Sequence, residues 1–298
     1  EIKESCFDAK YEIIEMIAAG AALYDPKDFL GAIKISTIHR SMVLKKFDKY
    51  IIGMALLPPK LSEQQIAALP PELQKAAASQ QAPKHVTMQP PQLPPGVKQA
   101  VPVQQPPKDQ INVAVLIDDN DSKKMTKQEL KTKLSAIITQ IAADTDKKIV
   151  VQSIILSELW QSCYDGKYDL LRLFAYAAPF YDTGMLAAIK ISEIHKEMVM
   201  KKFERYIVSY VLAGSLIQGR ATSKSDIDVF LVVDDTDVKR MTRAELKDKL
   251  RAIIIGMGIE AGEVTGIKNK LNIQVYILTD FWDSVKEANP IIFTFLRD

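Results

Sequence analysis

The chain has 298 residues, of which 47% are hydrophobic and 26% charged, a composition typical of a soluble globular protein of about two domains. The formal net charge of +2 excludes a strongly basic surface, and no apolar run reaches the roughly 20 residues that cross a bilayer. The two cysteines, Cys6 and Cys163, exclude a disulfide scaffold, so we expect a reducing, cytoplasmic setting.

The first 50 residues predict a helical segment. In the stretch KDFLGAIKISTIHRSMVLKKFDKY, apolar residues stand three or four positions apart, as Leu30 and Ile33 do, which is the spacing of one helix face.

A core of short strands and helices is predicted to follow over residues 51–161. Its run INVAVLI is apolar and rich in β-branched residues, and it ends at a pair of aspartates, as a buried strand does.

Residues 58–109 interrupt this first core and contain 12 of the 15 prolines. Proline fixes φ and lacks an N–H donor, so most of the insert is excluded from helix and sheet interiors. Only LSEQQIAAL and PELQKAAASQQ are compatible with short helices. Two interpretations are open: a solvated linker, or an arm that lies across a protein partner or across its own domain.

The second half predicts a helical segment over residues 162–206 and a second core over residues 207–298. The runs YIVSYVLA, IDVFLVV and LNIQVYIL predict strands, and Thr242 followed by Glu245 has the spacing of a capping box at a helix start. Strand, loop, strand, helix and strand in this order indicate an α+β fold, in which helices flank a small mixed sheet. A closing helix is predicted at the end of the chain.

The two halves repeat each other in the same order. AIKISTIHRSMVLKKFDKYI at Ala32 matches AIKISEIHKEMVMKKFERYI at Ala188, and INVAVLIDDND at Ile111 matches IDVFLVVDDTD at Ile227. The last stretch, DSVKEANPIIFTFLRD, aligns with QSCYDGKYDLLRLFAY from the middle of the chain. Such self-similarity predicts a tandem duplication with two related cores, each preceded by a helical segment.

Two aspartates interrupt the second strand of the second core. Asp226 and Asp228 stand two positions apart, so their side chains point to the same face of a strand. Two like charges there repel each other and lose hydration, which a packed core does not favour. A divalent cation such as Mg²⁺ compensates both charges, so this pair predicts a metal site.

The loop before these aspartates carries residues suited to a phosphate. Gly214 permits close approach of the backbone to a ligand, and Ser215 supplies a hydroxyl. If a helix begins at Ser215, its free N–H groups would also favour phosphate. Arg220 can bind a phosphate through two N–H groups, and Ser225 is a further donor.

This arrangement resembles the polymerase-β-like nucleotidyltransferase superfamily, whose motif is Gly-Ser, a spacer of about ten residues, and Asp-hydrophobic-Asp-hydrophobic. Here the motif reads Gly214, Ser215 and then DIDV from Asp226, within residues 206–282. The resemblance implies that Asp226 and Asp228 are catalytic and bind Mg²⁺, with Mn²⁺ as an alternative. It also implies that a hydroxyl attacks the α-phosphate of a nucleoside triphosphate.

The sequence departs from the family at the third carboxylate, which the family places on a later strand. The matching strand is NIQVYIL, and its central polar residue is Gln274, a neutral and poorer metal ligand. Glu260, Glu263 and Asp280 are alternative sources of a carboxylate, and no spacing argument selects one of them. The departure argues against transferase activity.

The first core lacks the motif. Pro58 and Pro59 stand where the second core has Gly-Ser, and Gln110 and Asn112 stand where it has the two aspartates. Amides carry no charge to hold Mg²⁺, so we expect a degenerate core that keeps the fold without the site.

Two functions remain open from the sequence. The first is metal-dependent transfer of a nucleoside monophosphate to a hydroxyl on RNA, protein or a small molecule. The second is a non-catalytic structural or interaction protein of a larger assembly, built on duplicated nucleotidyltransferase-like domains. The proline-rich insert and the missing third carboxylate favour the second, and the intact motif favours the first.

Overall fold

A computed structural model describes residues 12–21, 23–25, 28–57, 110–120, 125–236 and 242–297. The proline-rich insert, Cys6, Pro58 and Pro59 lie outside these residues, so the expectations for them stay predictions. Within the described residues, no helix combines the length and the apolar character needed to cross a bilayer.

The elements follow the predicted order in each half. The first half contains α1 (Glu12–Ala19), α2 (Phe29–Phe47), β1 (Ile51–Leu56), β2 (Ile111–Ile117), α3 (Lys127–Thr145), β3 (Ile149–Ile155) and α4 (Leu156–Tyr164). The chain continues through α5 (Asp169–Tyr176) and β4 (Ala178–Asp182). The second half contains α6 (Met185–Phe203), a short 3₁₀ turn (Glu204–Tyr206), β5 (Ile207–Ala213), β6 (Ile227–Val233), α7 (Arg243–Thr265), β7 (Leu271–Ile277), α8 (Leu278–Lys286) and α9 (Pro290–Arg297).

The strands form two small mixed sheets flanked by helices, as expected for an α+β fold. The strand order is β3-β2-β1-β4 in one sheet and β5-β6-β7 in the other. In the first sheet β1 pairs antiparallel with β2, and β2 pairs parallel with β3. The second sheet repeats both pairings, and each antiparallel pair has its register shift near the first residue of the leading strand.

The boundary between the halves contains a strand that the sequence did not predict. We predicted residues 162–206 as helical, but β4 lies among them and pairs antiparallel with β1. Pro179 within β4 is tolerated because β4 is the outermost strand of its sheet, where a missing N–H costs little. The first sheet is therefore completed by a segment that precedes the second sheet in the chain.

Helix α6 lies at the centre of the larger hydrophobic core. Every residue from Met185 to Glu193 is buried, and the same cluster includes Leu116 of the first sheet and Val229 of the second. A second cluster fills the other face of the first sheet, where α2 and α3 pack against β1, β2 and β3. Both halves thus share one core through α6.

Helix α3 and helix α7 begin with the same cap. Thr242 accepts a hydrogen bond from the Glu245 amide at 3.3 Å, and the Glu245 carboxylate accepts one from the Thr242 amide at 2.9 Å. Thr126 and Glu129 form the equivalent pair of bonds at the start of α3. The predicted capping box is present, and it satisfies N–H groups that the helix itself leaves free.

Asp182 holds the start of α6 from a buried position. Its carboxylate accepts hydrogen bonds from the amides of Gly184, Leu186 and Ala187, each at 2.9 Å. Burial raises the pKa of Asp182 from 3.8 to about 6 and outweighs these hydrogen bonds, which act in the opposite direction. Ionisation of Asp182 in the folded protein therefore lowers the free energy of unfolding.

We expect this cost to be visible as a pH dependence of stability. Because the folded-state pKa of Asp182 lies above its unfolded value, the folded state binds the proton more tightly, and its relative stability falls as pH rises from about 4 to about 6. The size is on the order of 3 kcal/mol. Urea unfolding of the wild type and of Asp182→Asn across this range measures it as the pH-dependent difference between the two. A difference that stays constant with pH would contradict the assignment.

Candidate functional site

The two aspartates lie at the start of β6. Asp228 is half-buried and is paired across the sheet with Ala213 of β5 on one side and Asn272 of β7 on the other. Asp226 is exposed and directly precedes the strand. The side chains alternate along β6, since Ile227 and Val229 enter the large core. Asp228 therefore points to the opposite face of the sheet, where Phe230 and Val232 further along β6 are buried against Ile292 and Asp228 itself is half-buried.

Gly214 lies against the Asp228 carboxylate. Its φ of +73° belongs to the left-handed region that favours glycine, and a Cβ built on it would lie 2.3 Å from Oδ2 of Asp228. No other residue fits this position unless the carboxylate moves. The glycine thus brings the backbone of the Gly-Ser turn next to a carboxylate.

The loop after Gly214 forms hydrogen-bonded turns. The Gln218 amide donates to the Gly214 carbonyl at 3.3 Å, and the Arg220 amide donates to the Ser215 carbonyl at 2.9 Å. Residues 214–219 are turns, so no helix begins at Ser215 and the expected help from a helix start is absent from these residues. The Arg220 side chain is exposed, and its guanidinium donates to the side chain of Gln218.

The end of the loop is fixed by side chains of its own half. The Ser225 hydroxyl accepts a hydrogen bond from the Thr222 amide at 3.0 Å, so it closes a local turn. The buried Asn269 amide donates to the carbonyls of Thr222 and Ser225 at 3.0 and 2.8 Å. Ser225, which we predicted as a ligand-binding residue, has a clear structural task. The sequence analysis did not detect Asn269.

The middle of the loop is held by the first half of the chain. The Asn120 side chain donates to the Gln218 carbonyl at 2.9 Å. A Cβ on Gly219 would lie 2.7 Å from both the Asn120 amide nitrogen and a methyl group of Leu156. From the second half, Gly184 lies even closer to the backbone of Thr222, where a Cβ would be 2.2 Å from the carbonyl carbon. The first half therefore positions the loop of the second.

The neutral residue beside the aspartates is Asn272, which the sequence analysis did not detect. Asn272 lies directly opposite Asp228 and donates to its Oδ1 at 2.8 Å. Gln274 lies opposite Phe230, one pleat further along the strand, and donates to the Asn272 oxygen at 3.4 Å. The register thus makes Asn272 the nearest strand position for a third ligand, and it holds an amide.

The alternative carboxylates lie elsewhere. Asp280 on α8 forms an ion pair with Lys247 at 2.9 Å. Glu260 and Glu263 belong to α7, which packs on the opposite face of the sheet. Among the described residues, no group of three or more His, Cys, Asp or Glu side chains is placed to hold a metal ion. The site offers the two predicted carboxylates, and the Asn272 amide beside them donates to Asp228.

A family comparison agrees with this geometry. Residues 191–271 match the family model of the nucleotidyltransferase domain. The predicted resemblance is confirmed over this segment, which contains the Gly-Ser turn, both aspartates and the start of β7. No curated protein and no solved structure matches the chain.

The same positions of the first half carry amides and an apolar residue. Gln110 directly precedes β2, and Asn112 is paired with Val150 of β3, where the second half pairs Asp228 with Asn272. These residues contribute no formal charge to that end of the sheet.

We expect Gly214→Ala to cost stability mainly through its contact with Asp228. Gly166 has a similar φ of +71°, but a Cβ added there would meet no atom within 4 Å, so Gly166→Ala measures the backbone strain alone. That strain is about 1–2 kcal/mol, and Gly214→Ala should cost about 1–3 kcal/mol more. Unfolding free energies of both variants, with and without Asp228→Ala, form a double-mutant cycle. If the extra cost persists without the Asp228 carboxylate, the contact is not its origin.

Proposed function

We propose that the second half carries a nucleotidyl-transfer site at which Asp226 and Asp228 bind a divalent cation together with a nucleoside triphosphate. The observation that carries the proposal is the approach of Gly214 to the Asp228 carboxylate, because it places a tight backbone turn beside two carboxylates. Phosphate oxygens bound at the turn would share a cation with the aspartates.

The available ligands suit a hard cation. The carboxylate oxygens of Asp226 and Asp228 are the kinds of donors that Mg²⁺ and Mn²⁺ accept. The bound cation would neutralise phosphate charge and favour attack by a hydroxyl of the acceptor. Ser215 and the exposed Arg220 lie on this loop and would contact phosphate oxygens, and Ser225 would act by fixing the loop. The acceptor remains RNA, protein or a small molecule.

We also infer that the two halves are copies of one unit, of which only the second binds nucleotide. Their sheets share the same pairings and register, and equivalent side chains make equivalent contacts. Asp119 accepts from the amide and hydroxyl of Ser157, and Asp235 accepts from those of Thr279 in the same way. Gln110 and Asn112 then leave the first unit without a metal site.

A non-catalytic binding role is the second candidate, and the amide at Asn272 favours it. A site with two carboxylates and a neutral third neighbour holds less charge than a site with three. Such a site can bind a metal–nucleotide complex without transferring the nucleoside monophosphate to an acceptor. Incubation with each labelled triphosphate and Mg²⁺, followed by mass analysis of the chain and of added RNA, distinguishes the candidates. Transfer that is lost with Asp226→Asn supports the enzyme, and bound but unmodified nucleotide supports the binding role.

We expect the intact chain to bind one metal–nucleotide complex. Replacing both ligands, by Asp226→Asn with Asp228→Asn, should weaken this binding by more than about 100-fold, since lost supporting contacts alone typically cost 10–100-fold in metal affinity. Isothermal titration calorimetry gives the stoichiometry and the affinity. The whole chain is used because β1 pairs with β4 and the halves share a core.

The control for this experiment is Glu260→Gln with Glu263→Gln, which removes two charges from the exposed part of α7. The control should leave binding unchanged. In metal chelator the aspartate double variant should keep or raise its melting temperature, because like charges no longer repel. Two metal–nucleotide complexes bound per chain, or unchanged binding by the aspartate double variant, would refute a single site at Asp226 and Asp228.

A third carboxylate should strengthen metal binding when it is placed at Asn272. Asn272→Asp adds a charge directly opposite Asp228, so we expect at least about tenfold tighter binding of Mn²⁺ and lower stability in chelator. Gln274→Glu is the matched variant, since the same charge is added opposite Phe230, and it should have little effect. Calorimetry with both variants compares the two positions. If Gln274→Glu strengthens Mn²⁺ binding and Asn272→Asp does not, position 274 lies nearer the cation, and our choice of position 272 from the strand register is wrong.

A further inference from the structure

Helices α3 and α7 occupy the same place in the two halves but differ on the side that faces solvent. Each begins with a capping box, packs against the strand that follows it and contributes buried residues to a hydrophobic core. At three equivalent exposed positions, α3 has Thr139, Gln140 and Ala143, and α7 has Ile255, Gly256 and Ile259. The fold therefore does not require large apolar residues at these positions, since α3 fills the same place without them.

The exposed apolar residues of α7 lie together on one side of the helix. The buried residues of α7 enter the large core from the other side. Ile253, Ile255 and Ile259 face away from this core and are 38%, 36% and 63% exposed. Contiguous exposed apolar side chains mark interaction surfaces. We name the exposed residues Ala252, Ile253, Ile255, Gly256 and Ile259 the α7 face.

The outer side of this helix stays open in both halves of the chain. The second half adds β4 to the first sheet, yet it leaves Thr139, Gln140 and Ala143 of α3 exposed. The neighbouring half therefore does not cover the outer side of the long helix. The α7 face is thus a surface for a contact other than the one that joins the two halves.

Gly256 lies at the centre of the α7 face without a contact in its own chain that requires glycine. A Cβ added at Gly256 would meet no described atom within 4 Å. Glycine within a helix lowers stability relative to alanine, and the equivalent residue of α3 is Gln140. The distance between two packed helices depends on the side chains at their contact, so Gly256 and Ala252 would let a second helix approach closely.

The charges along this side of α7 have opposite signs at its two ends. Lys249 stands seven residues before Gly256 and Glu263 seven residues after it, so all three exposed residues share one stripe of the helix. Two such helices that run antiparallel, with Gly256 at their crossing, bring Lys249 of each opposite Glu263 of the other. A parallel pair would instead oppose like charges. The mixed charges also differ from those of membrane-surface helices, which carry an excess of Lys and Arg.

We propose that the α7 face binds the α7 face of a second copy of the chain, with the two helices antiparallel around a two-fold axis at Gly256. Ile259 of each copy would pack on Ala252 of the other, and the pair Lys249–Glu263 would occur twice. Because each copy uses the same surface, the contact is closed and gives a dimer. Helix α7 covers the face of the second sheet opposite Asp228, so the contact does not involve the candidate site.

Sedimentation velocity of the intact chain over a range of micromolar concentrations tests the proposal. One helix pair buries less than the roughly 1,200 Å² of a standard interface, so we expect a weak, reversible monomer–dimer equilibrium. Ile259→Asp should weaken dimerisation by about tenfold or more, as for a central contact residue. Gly256→Leu should also weaken it although it adds apolar surface, because its side chain prevents the close approach. The matched control is Ala143→Asp, at the equivalent exposed position of α3, which should dimerise like the wild type.

Charge exchange tests the antiparallel arrangement. Lys249→Glu or Glu263→Lys alone should weaken dimerisation by about fivefold, because each replaces two ion pairs per dimer with like charges. An equimolar mixture of these two variants should dimerise as strongly as the wild type, since they carry opposite charges at the paired positions. A wild type that stays monomeric, as expected if residues 58–109 or a different protein cover the α7 face, overturns the proposal. Wild-type dimerisation by Ile259→Asp, or a mixture that does not regain it, overturns the proposal equally.

Discussion

The burial of the first nine residues of α6 on all sides is the constraint on which the rest of the molecule depends. A helix between two sheets needs small and apolar side chains around its whole circumference, and MLAAIKIS at its start supplies them. Its first turn is buried, so its free amides need an acceptor within the protein, and the Asp182 carboxylate accepts them. The short turn between β4 and α6 follows directly on the pairing of β4 with β1. The first sheet is therefore joined through this turn to the helix that supports the second sheet.

The two halves keep the contacts of a scaffold and differ at the site. Each begins its long helix with the same capping box, and each holds the turn after its central strand through a buried aspartate and a hydroxyl residue. Lys131 pairs with Glu158 as Lys247 pairs with Asp280. These contacts stabilise both halves, whereas the two carboxylates of the candidate site occur in the second half and amides stand at the equivalent positions of the first. Scaffold and site can therefore change independently.

The first half contacts the loop of the candidate site, although amides stand at its own two aspartate positions. Asn120 and Leu156 contact the loop that follows Gly214, and β4 leads into the helix that supports β5 and β6. The loop connects two adjacent antiparallel strands and has few apolar residues of its own, so it takes its shape from neighbours. Removal of the first half would remove the contacts that hold the middle of this loop.

The sequence by itself determined the elements of each half, the α+β class and the pair Asp226 and Asp228, because strand alternation, cap spacing and the Gly-Ser motif are local patterns. Only the tertiary structure decided that β4 is a strand, since APFYD has no period of its own and pairs because β1 offers an edge. It also decided that Asn272, rather than Gln274, lies beside Asp228, because strand register depends on partners far apart in the chain. Asn120 and Asn269 escaped prediction for the same reason: side-chain bonds across 98 and 47 residues leave no local signal in a sequence.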